Sequence, residues 1–128
     1  MDITRALIEF YPNTSWQVDN PRSYETLKWD ESNSIPKPSE EELLEKVNIL
    51  KEREPYKRLR RLRDEKLYQT DWLIVKYLEI DGKVPDDIRE YRQALRDLPQ
   101  TATPRLNEYN QLDDTSFEWP TLNIKKYK

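Results

Sequence analysis

Apolar residues in this chain are few, and most recur at helical spacing. Over residues 2–10, Ile3, Ala6, Leu7 and Phe10 line one face, with Asp2 as cap and Tyr11-Pro12-Asn13 as stop. Trp16 and Val18, then Leu27 and Trp29, instead alternate with polar neighbours. That period of two predicts a β-hairpin from runs 15–19 and 24–29, joined by a loop too long for a tight two-residue turn. A lone hairpin is marginal in water, so the first helix is expected to pack on it. Residues 1–30 thus read as a small α+β head.

Residues 31–38 carry Pro36 and Pro38 and read as an extended linker. Ser39 then opens a capping box with Glu42, and three glutamates suit the positive end of the helix dipole. Leu43, Leu44, Val47 and Leu50 form one helical face to about Glu54. Pro55 is expected to kink that helix or begin a new one. Leu59, Leu62 and Leu67 continue a narrow stripe, and Thr70-Asp71 offers cap chemistry before Trp72-Leu73-Ile74-Val75. Residues 72–80 suit a short buried helix, although their β-branched members also allow a strand. Gly82 closes this element. Pro85-Asp86-Asp87 starts another helix, on which Ile88, Tyr91, Leu95 and Leu98 share a face until Pro99 stops it. Residues 39–99 therefore read as a helical module and residues 100–128 as an extended arm, ordered where its aromatics dock. The fold class is mainly α: a helical hairpin, the α+β head and the carboxy-terminal arm.

Composition narrows the function. Of 128 residues, 35% are hydrophobic and 37% charged, so the core is thin and a partner is expected to complete the burial. A net charge of −3 argues against a dedicated nucleic-acid binder. Four Trp and eight Tyr argue against plain disorder. No apolar run approaches the length of a membrane span, and the amino terminus lacks a signal-peptide pattern. A soluble protein made inside the cell is the expectation.

Candidate chemistry is sparse. With no His and no Cys, imidazole bases, thiol nucleophiles and Cys/His zinc sites are all missing. A single glycine excludes Gly-rich phosphate loops. Asp86-Asp87 and Asp113-Asp114 are the obvious carboxylate pairs, but such pairs usually serve helix starts. Hence no catalytic, metal or cofactor residue is assigned. The basic block Lys57-Arg58-Leu59-Arg60-Arg61-Leu62-Arg63 has no interleaved aromatic for base stacking and reads as a solvated helix face. Trp72 and Tyr91 fall on apolar faces. Trp16, Trp29, Phe117 and Trp119 lie on the least regular segments, where they are candidate partner-binding residues or pack on one another.

Two linked motifs carry a family resemblance. Arg63-Asp64, Leu67 and Thr70-Asp71-Trp72, followed by Tyr91-Arg92-Gln93-Ala94-Leu95-Arg96-Asp97-Leu98-Pro99, resemble the phage tail assembly chaperone family. Tail-fibre assembly chaperones are similar in layout, with a helical pair, a Tyr-Arg step and a closing Trp-Pro, here Trp119-Pro120. The segments Ser15-Trp16, Leu27-Lys28-Trp29 and Pro38-Ser39-Glu40-Glu41-Glu42 also resemble the part often joined to this module in phage proteins. The resemblance implies a non-enzymatic bacteriophage protein. It would act in tail or fibre assembly in the host cytoplasm by binding a tail, baseplate or tail-fibre protein. The alternative is a structural adaptor that stays in the virion. A second copy of the chain is a further candidate partner, whereas nucleic acid and membrane are not expected.

Within the motif, Asp71 is expected to cap the Trp72 element with its carboxylate near Arg92 or Arg96. Leu59, Leu62, Leu67, Trp72, Tyr91, Leu95 and Leu98 are expected to form one core.

Overall fold

The computed structural model describes residues 2–128. It is mainly α, with three α-helices and one two-stranded antiparallel sheet. The chain forms two compact units, one ending at Glu54 and one from Pro55 to Lys128. That boundary falls inside the stretch read as a single helical module.

In the first unit, α1 (Ile3–Phe10) starts where the Asp2 carboxylate accepts the Thr4 amide at 2.9 Å. Its buried positions are Ile3, Ala6 and Leu7, the spacing of one helical face. β1 (Trp16–Val18) pairs with β2 (Leu27–Trp29), Trp16 opposite Trp29 and Val18 opposite Leu27. The strands are shorter than expected because residues Tyr24–Thr26 turn as a 3₁₀ helix, the Ser23 carbonyl accepting both the Thr26 amide and its hydroxyl. Residues 31–38 follow an irregular path strapped to the sheet. Asn33 exchanges two 2.8 Å bonds with the Ser15 backbone, Lys37 donates to the Leu27 carbonyl, and Tyr24 Oη donates to the Pro38 carbonyl. Leu43 and Val47, on the first part of α2 (Glu40–Asp81), complete the core with Leu27 and α1. The Ser39 hydroxyl caps that helix by accepting the Glu42 amide at 3.1 Å.

Pro55 neither stops α2 nor starts a new helix; the helix is continuous over its 42 residues. The ring removes one N–H, and the rest of the ladder tolerates that loss. Thr70 and Asp71 likewise lie inside α2, so Asp71 is not a helix cap. The Thr70 hydroxyl turns back to the Leu67 carbonyl at 3.0 Å, a bond that satisfies it within the helix. Residues 72–80 are helical.

Gly82, at φ 65°, ends α2 and donates its amide to the Leu78 carbonyl. α3 (Asp86–Thr101) follows, antiparallel to the second part of α2. Three bonds mark the register: Tyr56 Oη to the Ala102 carbonyl, Arg63 Nη1 to that of Arg96, and Arg92 Nη1 to that of Leu67. Pro99 sits within α3 instead of stopping it. A final turn survives because the Ala102 amide still closes on the Leu98 carbonyl at 2.8 Å.

Leu59, Leu73, Ile88, Leu95 and Leu98 are the buried leucines and isoleucine of this unit. Around Leu73, Val84 and Ile88 the cover is supplied by Leu122, Ile124 and Tyr127. The carboxy-terminal segment is irregular apart from a bridge between Leu106 and Leu112 and a 3₁₀ helix at Ile124–Tyr127. The expected shared core needs one correction. Trp72 is 41% exposed, and its neighbour Leu73, at 0%, takes the buried position. Leu62, Leu67 and Tyr91 are half-buried.

Candidate functional site

Arg92 is the polar hub of the second unit. From α3 its Nη1 reaches the Leu67 carbonyl (2.7 Å), the Thr70 hydroxyl (2.7 Å) and Asp71 Oδ1 (2.9 Å), all on one turn of α2. Thr70 is 2% exposed, so its oxygen would be costly to leave unpaired. Having given its proton to Leu67, that hydroxyl is left to accept from Arg92. Asp71 stands at the solvent edge of the same cluster.

The remaining motif residues support this pair of helices. Arg63 holds Asp64 at 2.9 Å while reaching the Arg96 carbonyl. The Arg96 guanidinium itself turns outward to Gln93, 3.0 Å away. Leu95 and Leu98 are buried, and Pro99 is half-buried. Arg63 and Arg92 thus each bond across the pair of helices, beside the buried Leu95 and Leu98.

A second cluster fixes the carboxy-terminal segment. The Asp87 carboxylate, in the first turn of α3, accepts from Tyr127 Oη at 2.5 Å and from Lys126 Nζ at 2.7 Å. The Lys126 bond, then the Tyr127 bond, holds Asp87 below the usual carboxylate range. Burial, then the Asp87 contact, pushes the Tyr127 phenol up, and Asp87 also raises Lys126. Asp86 pairs with Arg89 at 3.2 Å, and Asp113 organises a turn by accepting the amide and hydroxyl of Thr115. Each carboxylate pair is thus tied to local structure. No group of three side chains among the described residues could hold a metal ion. No helix among them is long and apolar enough to cross a membrane.

The four candidate partner-binding aromatics are all half-buried and engaged within their own unit. Trp16 and Trp29 face each other across the sheet and pack against the first core. Trp29 also meets Tyr11 edge to face at 6.3 Å and donates its indole N–H to the Ile35 carbonyl. Phe117 and Trp119 form an edge-to-face pair at 5.1 Å, with Lys66 Nζ 4.9 Å from the Trp119 ring.

Ile8, Ile35, Ile80 and Tyr109 are exposed, and a longer run of exposed apolar residues lies on α2. Tyr68, Trp72, Val75 and Leu78 are 79%, 41%, 57% and 52% exposed along α2. Their steps of four, three and three put them on one side of the helix, away from buried Leu59, Thr70 and Leu73. Trp72, Val75 and Leu78 fall in the stretch expected as a short buried helix; it is instead the last part of α2, and of that apolar run Leu73 alone is fully buried. A signal was present: four successive apolar residues, Trp72-Leu73-Ile74-Val75, cover the whole circumference of a helix, and a single packing neighbour covers only part of it. A shallow depression bordered by Arg61, Asp64, Glu65, Tyr68 and Gln69 continues the stripe.

The sequence model of the phage tail assembly chaperone protein family matches residues 56–122. No curated protein and no solved structure matches the chain. The match covers more than half of the chain, including both helical motifs and the Phe117-Trp119 pair. The chain therefore belongs to the phage tail assembly chaperone family, and its role lies in tail assembly.

Proposed function

From that membership we propose that this protein is a non-enzymatic chaperone that binds a bacteriophage tail or tail-fibre protein in the host cytoplasm and holds it for assembly. The supporting observation is the exposed stripe of Tyr68, Trp72, Val75 and Leu78 within the family-matched region. Unpaired apolar area of this kind marks a binding surface on an otherwise polar protein. Aromatic side chains dominate such contacts energetically. Trp16, Trp29, Phe117 and Trp119 are assigned a lesser, edge-contact role, because each already packs within its own unit.

Co-expression with the tail and tail-fibre proteins of its phage tests the reading. The parent chain raises the soluble fraction of at least one of them, and a variant with Tyr68, Trp72 and Val75 all changed to serine does not. No effect on any of them would refute it. Purified particles should lack the protein. Its presence there at fixed stoichiometry would make it a structural adaptor of the virion.

A further inference from the structure

We infer that, when no client is bound, the exposed face of α2 is covered by a second copy of this chain in an antiparallel, two-fold arrangement. The occupant is read from the charge pattern along the face. Arg61, Glu65, Tyr68, Trp72, Val75 and Glu79 follow one another in alternating steps of four and three, the spacing of a helix-pairing seam. All six are exposed. None of them takes part in the Arg92 hub or in the Asp87 cluster.

The seam is complementary to its own reverse. Laid antiparallel about Thr70, it sets Arg61 against Glu79 of the second copy at both ends. Tyr68 then faces Trp72, and Glu65 faces Val75. A parallel copy would place Arg61 on Arg61, Glu65 on Glu65 and Glu79 on Glu79, three like-charge contacts that disfavour it. Two-fold symmetry makes each favourable contact occur twice. The depression bordered by Arg61, Asp64, Glu65, Tyr68 and Gln69 offers a seat for the Trp72 ring of the second copy. At about 1.5 Å per residue the contact runs about 27 Å along the helix. A seam this short gives a reversible dimer, one that a client can displace from the same face.

The inference needs only the face and not the client, so the two readings fail separately. Light scattering and sedimentation of the purified full chain should give twice the 15.6 kDa chain mass, falling to one chain on dilution. Arg61→Glu and Glu79→Arg should each weaken association by about tenfold, since each turns two attractive contacts into like-charge ones. The double variant should restore it. Diluted to where every chain is single, each variant should match the parent in circular dichroism and thermal melting, as both residues are exposed.

The chain has no cysteine, which allows a test of orientation. A mixture of Glu65→Cys and Val75→Cys chains should form an interchain disulfide that neither variant forms alone. A chain that stays monomeric at every concentration would overturn the dimer, even if client rescue persists. So would a double variant that fails to restore association, or Glu65→Cys alone cross-linking as well as the mixture.

Discussion

Arg92 and Asp71 meet at 2.9 Å across the helical pair, yet they stand in different surroundings: the Arg92 side chain is 13% exposed and that of Asp71 56%. The two residues are therefore not equivalent partners. Asp71→Ala removes one solvent-edge contact and leaves Arg92 its bonds to Leu67 and Thr70, so a loss of about 0.5–1 kcal/mol is expected. Arg92→Ala removes all three contacts, each a hydrogen bond from a charged donor, and leaves the buried Thr70 hydroxyl only its own bond to Leu67, which should cost about 2–3 kcal/mol. Urea unfolding of both variants checks the ranking. Equal losses would show that the ion pair, and not the bonds to Leu67 and Thr70, gives Arg92 its weight.

Thr70 offers a sharper probe. Thr70→Val keeps shape but removes the acceptor for Arg92 and the donor to Leu67, and should cost about 1–2 kcal/mol. Thr70→Ser keeps the oxygen and should cost less than Thr70→Val. Thermal melts of the pair of variants decide it. If valine is the better tolerated, the hydroxyl contributes nothing to the hub.

Trp72 and Leu73 are neighbours with opposite fates. Leu73→Ala opens a cavity at a fully buried position and should cost about 2–5 kcal/mol. Trp72→Ser should change stability by under about 1 kcal/mol while abolishing client rescue. Chemical denaturation and co-expression together separate the roles. A large stability loss in Trp72→Ser would return that residue to the core.

The Asp87 cluster gives stability a pH dependence at both ends. Asp87 is held below its ordinary range, so its contribution is present at neutral pH and fades as pH falls below about 4, where the unfolded chain has taken up the proton first. Lys126 and Tyr127 are raised, so their contributions hold below about pH 10 and fade as pH climbs beyond it. Urea midpoints measured across pH should fall at both extremes. Asp87→Asn should flatten the acid limb and weaken the alkaline one. An unchanged acid limb in that variant would mean that other carboxylates set the acid sensitivity.

Much of this architecture was legible in the residues. The Asp2 and Ser39 caps, the α1 face, the alternation at Trp16 and Val18 and again at Leu27 and Trp29, and the Gly82 stop each express a local rule, and each stands in the structure. What misled were residues with two uses. Pro55, Thr70-Asp71 and Pro99 carry the chemistry of helix ends, but the surrounding ladder and the Arg92 contacts keep them helical. Trp72 looked like core because size alone does not say which side of an all-apolar turn meets α3. The docking of Tyr127 on Asp87 left no local trace, since it joins positions 40 residues apart in sequence.

That distance also bears on the order of folding. The contact from Arg92 to Leu67 closes a loop of 25 residues, whereas Tyr127 reaches Asp87 across 40 and lies last in the order of synthesis. During synthesis Leu73, Val84 and Ile88 emerge well before Leu122, Ile124 and Tyr127, which cover them. Until residue 127 has left the ribosome, the nascent helical pair carries an open apolar cleft.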